Sequence, residues 1–301
     1  MAQYGLIEAG GTKFVLGIAD ETGAIAARRR IATTTPTEVI GATIDWFQGA
    51  GLQPTAIGIA SFGPLDLDRA SPGWGHITRT AKPGWSGTDL AGPFVRAFGC
   101  AVALETDVGG AALAESRWGA GRGLGEGQRQ RQRSLLYVTV GTGIGGGFVS
   151  DGRLLAGLSH PEMGHIAIPR HPRDRDFAGI CPFHGDCLEG VASGPAIIAR
   201  WGQSLSALGA AHPGNEIIAW YLGKGVCTFQ AIMEPARIVL GGGVMGTPGL
   251  LDRVRRHAAE AGHGYFVGDP AVVVVPPGLG ADSGLLGALA IALDRQASGL
   301  A

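Results

Sequence analysis

Two stretches of this chain repeat one pattern, and the repeat limits the folds available to it. Near the N-terminus "YGLIEA" (4–9) runs into "GGTK" (10–13), then "FVLGIAD" (14–20) and the turn "ETGA" (21–24). At 135–155 the order returns as "LLYVTV", "GTGIG" and "GGFVSDGRLL". Each unit has an apolar β-branched run, a glycine-rich reversal, a second strand and a polar-glycine turn, the marks of a β-hairpin. A hairpin unit that recurs after about half the chain predicts an internal duplication and two related halves.

Between and after the hairpins, strand and helix patterns alternate. A helix is expected at "TEVIGATIDWFQGA" (37–50), a strand entering a loop at "PTAIGIASFGP" (54–64), a strand at "CAVALETDV" (100–108) and a helix at "GGAALAESRWGAG" (109–121). Further helices are expected at "GPAIIARWGQSLSAL" (194–208), "NEIIAWYLGKGVCTFQAIM" (215–233), "GLLDRVRRHAAEAG" (249–262) and "SGLLGALAIALDRQ" (283–296). The runs "ARIVLGGGVM" (236–245) and "AVVVVPP" (271–277) read as strands. Alternating strands and helices in two similar halves predict an α/β protein with a cleft. The halves are expected at 1–117 and 118–284, with a terminal helix at about 285–298 packing back on the first.

Composition supports two packed cores: 45% of the 301 residues are hydrophobic and 16% charged. A net charge of −1 gives no global basic field for nucleic acid or an anionic membrane. The basic stretch "ARRR" (27–30) and the run carrying Arg129, Arg131 and Arg133 are local exceptions, the latter expected as a solvated loop. The start "MAQYGLIEAGGTKF" lacks an export signal and no apolar run approaches a membrane span, so a cytoplasmic location is expected. Glycine is the outlier at 53 residues, well over twice the usual share of roughly 7%. Clustered beside the strands, it predicts close backbone approach to a ligand.

Three glycine-rich strand ends carry phosphate chemistry. "GGTK" supplies backbone amides, a hydroxyl and an ammonium in one turn; "GTG" (141–143) and "GGG" (241–243) add two more amide-rich turns. "GTGIGG" formally matches the dinucleotide fingerprint, but that motif must open a helix and a strand-like run follows here. Asp107 stands between a strand and a helix. Alone it reads as an N-cap; ionised beside a helix N-terminus, it is also suited to take a proton from a hydroxyl during phosphoryl transfer. Cys181, His184 and Cys187 give three metal ligands in seven residues, and a structural zinc needs a fourth, for which His160, His165 and His171 are candidates. Cys100 and Cys227 stand alone.

"EAGGTKF", "IASFGPLDL", "TAKPGW", "ETDVGGAALAE", "VTVGTGIGGG", "HPEMGHI", "CPFHGDCLEGVASGPAI", "RIVLGGGVM" and "GLGADSGLLGAL" follow one another in that order. Together they resemble the ROK family of sugar kinases, most closely its zinc-containing fructokinase branch, over nearly the whole chain. The resemblance implies an actin-like, hexokinase-type fold of two α/β domains around a cleft, and transfer of the γ-phosphoryl group of Mg-ATP to a hexose. By that resemblance Gly10, Gly11, Thr12, Lys13, Gly141, Thr142 and Gly143 line the phosphates, and Gly241, Gly242 and Gly243 lie near the adenosine. Asp107 matches the general base. Gly63, Pro64, Glu162, His165 and Glu189 match sugar-contacting positions, and His165 completes the zinc set with Cys181, His184 and Cys187. One ring nitrogen of His165 would bind zinc while the other faces the sugar. The family commonly has Asn two residues after the base, where this chain has Gly109. Thr106, before the base, matches fructokinase-like members and favours fructose. A homodimer is the family expectation.

Rival classes fit less well. "HPE" (160–162) matches half of a zinc-deaminase signature, but Cys181 and Cys187 are too far apart for the P-C-x-x-C half. A zinc knuckle for nucleic acid would want more than one aromatic between Cys181 and Cys187. Sugar-sensing repressors of the family carry an N-terminal DNA-binding extension, whereas here the first phosphate motif already stands at residue 10.

Overall fold

The computed structural model describes residues 2–125 and 133–297. Arg129 and Arg131 therefore lie outside the described residues. The chain divides into two units: Met1–Arg117 with Leu154–Pro161 and Leu279–Ala301, and Trp118–Arg153 with Glu162–Gly278.

In the first unit β1 (Tyr4–Ala9) and β2 (Lys13–Ala19) form the expected antiparallel hairpin. The strand β3 (Ile25–Ala32), absent from the sequence expectation, pairs with β2 at the sheet edge. Its three arginines explain both facts: Arg28, Arg29 and Arg30 are exposed, hiding the strand's alternation while blunting an open edge. On the other side β4 (Ala56–Ser61) and β5 (Ala101–Thr106) run parallel to β1, giving the order β3-β2-β1-β4-β5. Every residue of β4 is buried, as a central parallel strand covered on both faces requires. Helix α1 (Pro36–Gly49) starts on a capping box, Thr35 with Glu38, and buries Val39, Ile40 and Phe47. Helices α2 (Gly92–Phe98) and α3 (Asp107–Trp118) flank β5 in sequence.

The second unit repeats the arrangement. An antiparallel hairpin of β6 (Ser134–Val140) and β7 (Ile144–Ser150), an edge strand β8 (Arg153–Leu154), and the strands β9 (Arg237–Gly241) and β10 (Val274–Val275) give the order β10-β9-β6-β7-β8. Around it lie α4 (Leu188–Ala192), α5 (Gly194–Trp201), α6 (Gly214–Met233), α7 (Leu250–Gly262) and α8 (Pro270–Val273).

Two element expectations need correction. The helix expected to 208 stops at Trp201, because Gly202 turns left-handed at φ 74°. The first part of the expected strand "AVVVVPP" is instead the single turn α8, because Asp269 accepts from the Ala271 N–H and Pro270 is pre-set for a first helical position; only Val274–Val275 form a strand.

Some of the glycine excess also serves packing rather than a ligand. The C-terminal helix α9 (Ser283–Ala297) lies on the first sheet so closely that a Cβ on Gly58 would stand 1.8 Å from the Ala288 carbonyl oxygen. At Gly287 a Cβ would come within 2.5 Å of the Gly110 backbone. Gly58→Ala should therefore force α9 away and destabilise the protein by about 1–3 kcal/mol. A lowered urea midpoint would show this, and a parent-like midpoint would refute the close approach.

Candidate active site and metal cluster

Register brings the first unit's candidate residues together. Ala9 pairs with Ser61, and Ser61 with Thr106, so β1, β4 and β5 end on one row. The turn Gly10–Lys13, the segment Phe62–Pro64 and Asp107 all emerge from the carboxyl ends of adjacent strands, where open α/β sheets bind ligands. Gly10 N–H donates to the Lys13 carbonyl at 3.0 Å, and Thr33 Oγ1 donates to the Gly10 carbonyl at 2.7 Å. Gly11, Thr12 and Lys13 are exposed.

Asp107 is not the cap of its helix. Thr106 Oγ1 accepts from the Gly109 N–H at 3.0 Å, while Asp107 Oδ1 accepts from the adjacent Val108 N–H at 2.9 Å. The hydroxyl thus does the capping that a sequence reading gives to the carboxylate. Two further acids, not singled out from sequence, lie near Asp107. Glu105 is half-buried and accepts from Thr106 N–H at 2.7 Å; burial pushes its carboxyl above the ordinary range. Glu8, on β1, is pushed up to about 7, first by burial and then by the Asp107 carboxylate, against the opposing pull of Lys13, Arg28 and Arg30. A lone acid inside the apolar run "YGLIEA" was the signal for it.

The second unit's glycine turns are likewise adjacent. Thr139 pairs with Gly241, so "GTG" and "GGG" leave neighbouring strands. Gly141 N–H donates to the Gly143 carbonyl at 2.9 Å, and Gly194 N–H to the Gly141 carbonyl at 2.8 Å. Thr142 is exposed. Gly242 has φ 91° and a Cβ there would meet the Val140 backbone at 2.4 Å; Gly243 then opens a short 3-10 turn, Gly243–Gly246. Glu189, on the first turn of α4, accepts from the Ile144 N–H through Oε2 at 2.8 Å and so braces the "GTG" turn. A carboxylate retains capacity for other donors on its second oxygen.

The four metal candidates converge. One ligand atom each from His165, Cys181, His184 and Cys187 lies within 4.8 Å of every other. His165 Nδ1 is 3.6 Å from Cys181 Sγ and 3.5 Å from Cys187 Sγ, and His184 Nδ1 is 3.6 Å from Cys181 Sγ. Ordinary zinc bond lengths set tetrahedrally give a sulfur–nitrogen edge of roughly 3.6 Å, so the donor set fits zinc. The loop closes on paired bonds between Cys181 and Gly185, 3.0 and 2.9 Å long, which bring His184 back to the thiols. Burial, with the Cys181 thiol beside it, pushes Cys187 up to about 11, the setting of a thiol that a bound cation would ionise. Both histidines face the cluster through Nδ1. Glu162 precedes and His165 ends the 3-10 turn Met163–His165, with His165 N–H donating to the Glu162 carbonyl at 3.0 Å.

The other two histidine candidates lie elsewhere. His160 Nε2 accepts from the Leu65 N–H at 3.2 Å, next to Gly63 and Pro64, and His171 stacks edge-on against Trp220. Among the described residues, no helix is long and apolar enough to cross a membrane.

A model described as the ROK family matches residues 4–295. The fructokinase of Zymomonas mobilis subsp. mobilis is 50% identical over 300 residues, covering 97% of each chain. A glucokinase of Streptomyces coelicolor is 27% identical, over 95% of this chain and 96% of its own. Among solved structures, a ROK hexokinase from Thermus thermophilus matches with a TM-score of 0.76 at 30% identity, over 99% of this chain and 100% of its own. A ROK family glucokinase from Streptomyces griseus, solved with glucose and AMPPNP, matches with a TM-score of 0.74 at 25% identity, over 97% and 100%.

Glu8 predicts a pH dependence. Its folded value lies above that of an unfolded glutamate, so its contribution is fully present below about pH 4.5 and is lost as pH rises through about 7. Glu8→Gln should raise the thermal midpoint relative to the parent at pH 8 and leave little difference at pH 4.5. An equal difference at both pH values would refute a Glu8 that folding holds protonated.

Proposed function

The chain belongs to the ROK family, with its actin-like pair of α/β units, and from that premise we propose that it is an ATP-dependent hexokinase-type enzyme acting on D-fructose. Its products are D-fructose 6-phosphate and ADP. The observation that carries this reading is the common row on which β1 and β5 end, which puts Asp107 and the Gly10–Lys13 turn at the same sheet edge.

Asp107 accepts the proton of the 6-hydroxyl as that oxygen attacks the γ-phosphorus and the bond to the β–γ bridging oxygen breaks. Gly10, Gly11, Thr12 and Lys13, with Gly141, Thr142 and Gly143, hold phosphates, while Gly241, Gly242 and Gly243 adjoin the adenosine. Magnesium arrives with ATP as part of the substrate. Gly63, Pro64, Glu162, His165 and Glu189 bind the hexose; the paired carboxylates suit neighbouring hydroxyls. Fructose is preferred over glucose because the fructokinase relative shares 50% identity against 27% for the glucokinase, and Thr106 is the residue of the fructokinase-like members.

Zinc held by His165, Cys181, His184 and Cys187 has a structural role, contributing folding energy to its loop. Cys187 directly precedes α4, so a fixed cluster also fixes Glu189 and through it the "GTG" turn. With both histidines turned in through Nδ1, the Nε2 of His165 is the nitrogen left to serve the sugar.

Assays of ADP formation with fructose, mannose and glucose test the activity. The parent should respond most to fructose, and Asp107→Asn should lower kcat by roughly 10²–10⁴-fold. No sugar-dependent ADP with any of the three, or an unaffected variant, would overturn the assignment. For the metal, acid-denatured protein should release about one zinc per chain. Cys187→Ser should lower both zinc content and the thermal midpoint, and a parent that contains no zinc and melts identically in chelator would exclude a structural metal.

A further inference from the structure

The "TAKPGW" segment (80–85) has no role so far, yet its lysine reaches the phosphate turn. Lys82 Nζ donates to the Gly11 carbonyl at 2.6 Å, across 71 residues of sequence. Among the described residues its side chain makes no other hydrogen bond, and an ammonium carries three donors.

The segment is anchored well enough to hold the ammonium there. Trp85 is fully buried, with its ring 5.7 Å from that of Phe14 and 5.3 Å from that of Phe62. Its indole N–H donates to the Thr34 carbonyl at 3.0 Å. Ser86 Oγ accepts from Thr80 N–H at 3.1 Å and donates to the Thr80 carbonyl at 3.2 Å, while Thr80 Oγ1 accepts from the Lys82 N–H at 3.3 Å. Phe14 adjoins Lys13 on β2, so one aromatic cluster supports both lysines.

One amide of the turn, the Gly10 N–H, is already taken by the Lys13 carbonyl. A transferring phosphoryl group spreads negative charge over three oxygens, and fixed cations aimed at it stabilise that charge. We infer that Lys82 is a second phosphate-binding cation, paired with Lys13 across the Gly10–Lys13 turn, and that its ammonium contacts the terminal phosphate of the nucleotide. It keeps its proton throughout; the proton of the sugar hydroxyl goes to Asp107. The inference rests on the kinase reading, in which that turn holds ATP.

Lys82→Met removes the charge and keeps the length; Lys82→Arg keeps the charge. Calorimetric titration of each full-length protein with Mg-AMPPNP, Mg-ADP and AMP, beside kinetics with fructose, separates the outcomes. Lys82→Met should lose roughly 10- to 100-fold in kcat/KM for ATP. Its AMPPNP affinity should fall far more than its AMP affinity, its melting midpoint should match the parent, and Lys82→Arg should recover part of the loss. Parent-like kinetics and AMPPNP binding in Lys82→Met would overturn the inference while leaving the kinase assignment intact. Equal weakening of AMP and AMPPNP with a lowered melting midpoint would also overturn it, showing a clamp on the turn and no phosphate contact. A parent without sugar-dependent ADP formation would instead defeat the kinase assignment; an unchanged preference for AMPPNP over AMP in Lys82→Met would then decide against Lys82 as well.

Discussion

The first unit's chemistry depends on the parallel register of three strands. Because Ala9, Ser61 and Thr106 share a row, residues from three distant parts of the chain leave the sheet at one edge. A slip of one residue would turn every side chain of the strand to the opposite face. Burial holds the register: β4 has no exposed residue, and α9 approaches it closely enough to exclude a Cβ at Gly58. The second unit repeats the device with Thr139 and Gly241.

The same edge concentrates charge. Glu8, Glu105 and Asp107 are acids on or beside two strand ends, and Lys13, Arg28 and Arg30 act on Glu8 from the hairpin side. Taking charges out of water is costly unless they are compensated, so the cations near Glu8 and the Thr106 N–H and hydroxyl donating to Glu105 belong to the stability of this edge as well as to its chemistry. In the second unit the Cys/His loop plays the corresponding supporting part. Its four candidate ligands converge just before α4, and Glu189 on α4 accepts from the Ile144 N–H beside the "GTG" turn.

Much of this was legible beforehand. Both hairpins, most of the helices and the ROK resemblance were readable because each rests on local pattern: alternation, caps, glycine turns and motif order. The misses have a common physical origin. β3 was hidden because its arginines give an edge strand no apolar alternation, and "AVVVVPP" misled because the preceding Asp269-Pro270 pair starts a helical turn in spite of the β-branched residues. Glycine abundance was ascribed to ligands alone, although Gly58 and Gly287 exist for the close approach of a helix that follows far along the chain.

The sequence by itself determined the composition of each candidate site: the amides and lysine of the "GGTK" turn, the acid at 107, and three of the four candidate metal ligands within seven residues. These depend on neighbours in the chain, whose spacing the backbone geometry enforces. Tertiary structure decided the partnerships between distant segments. It set His165 and not His160 or His171 beside the thiols, gave the helix cap to Thr106 rather than Asp107, and laid Lys82 on Gly11. Such contacts are fixed by strand register and the packing of buried rings such as Trp85, which no local spacing encodes.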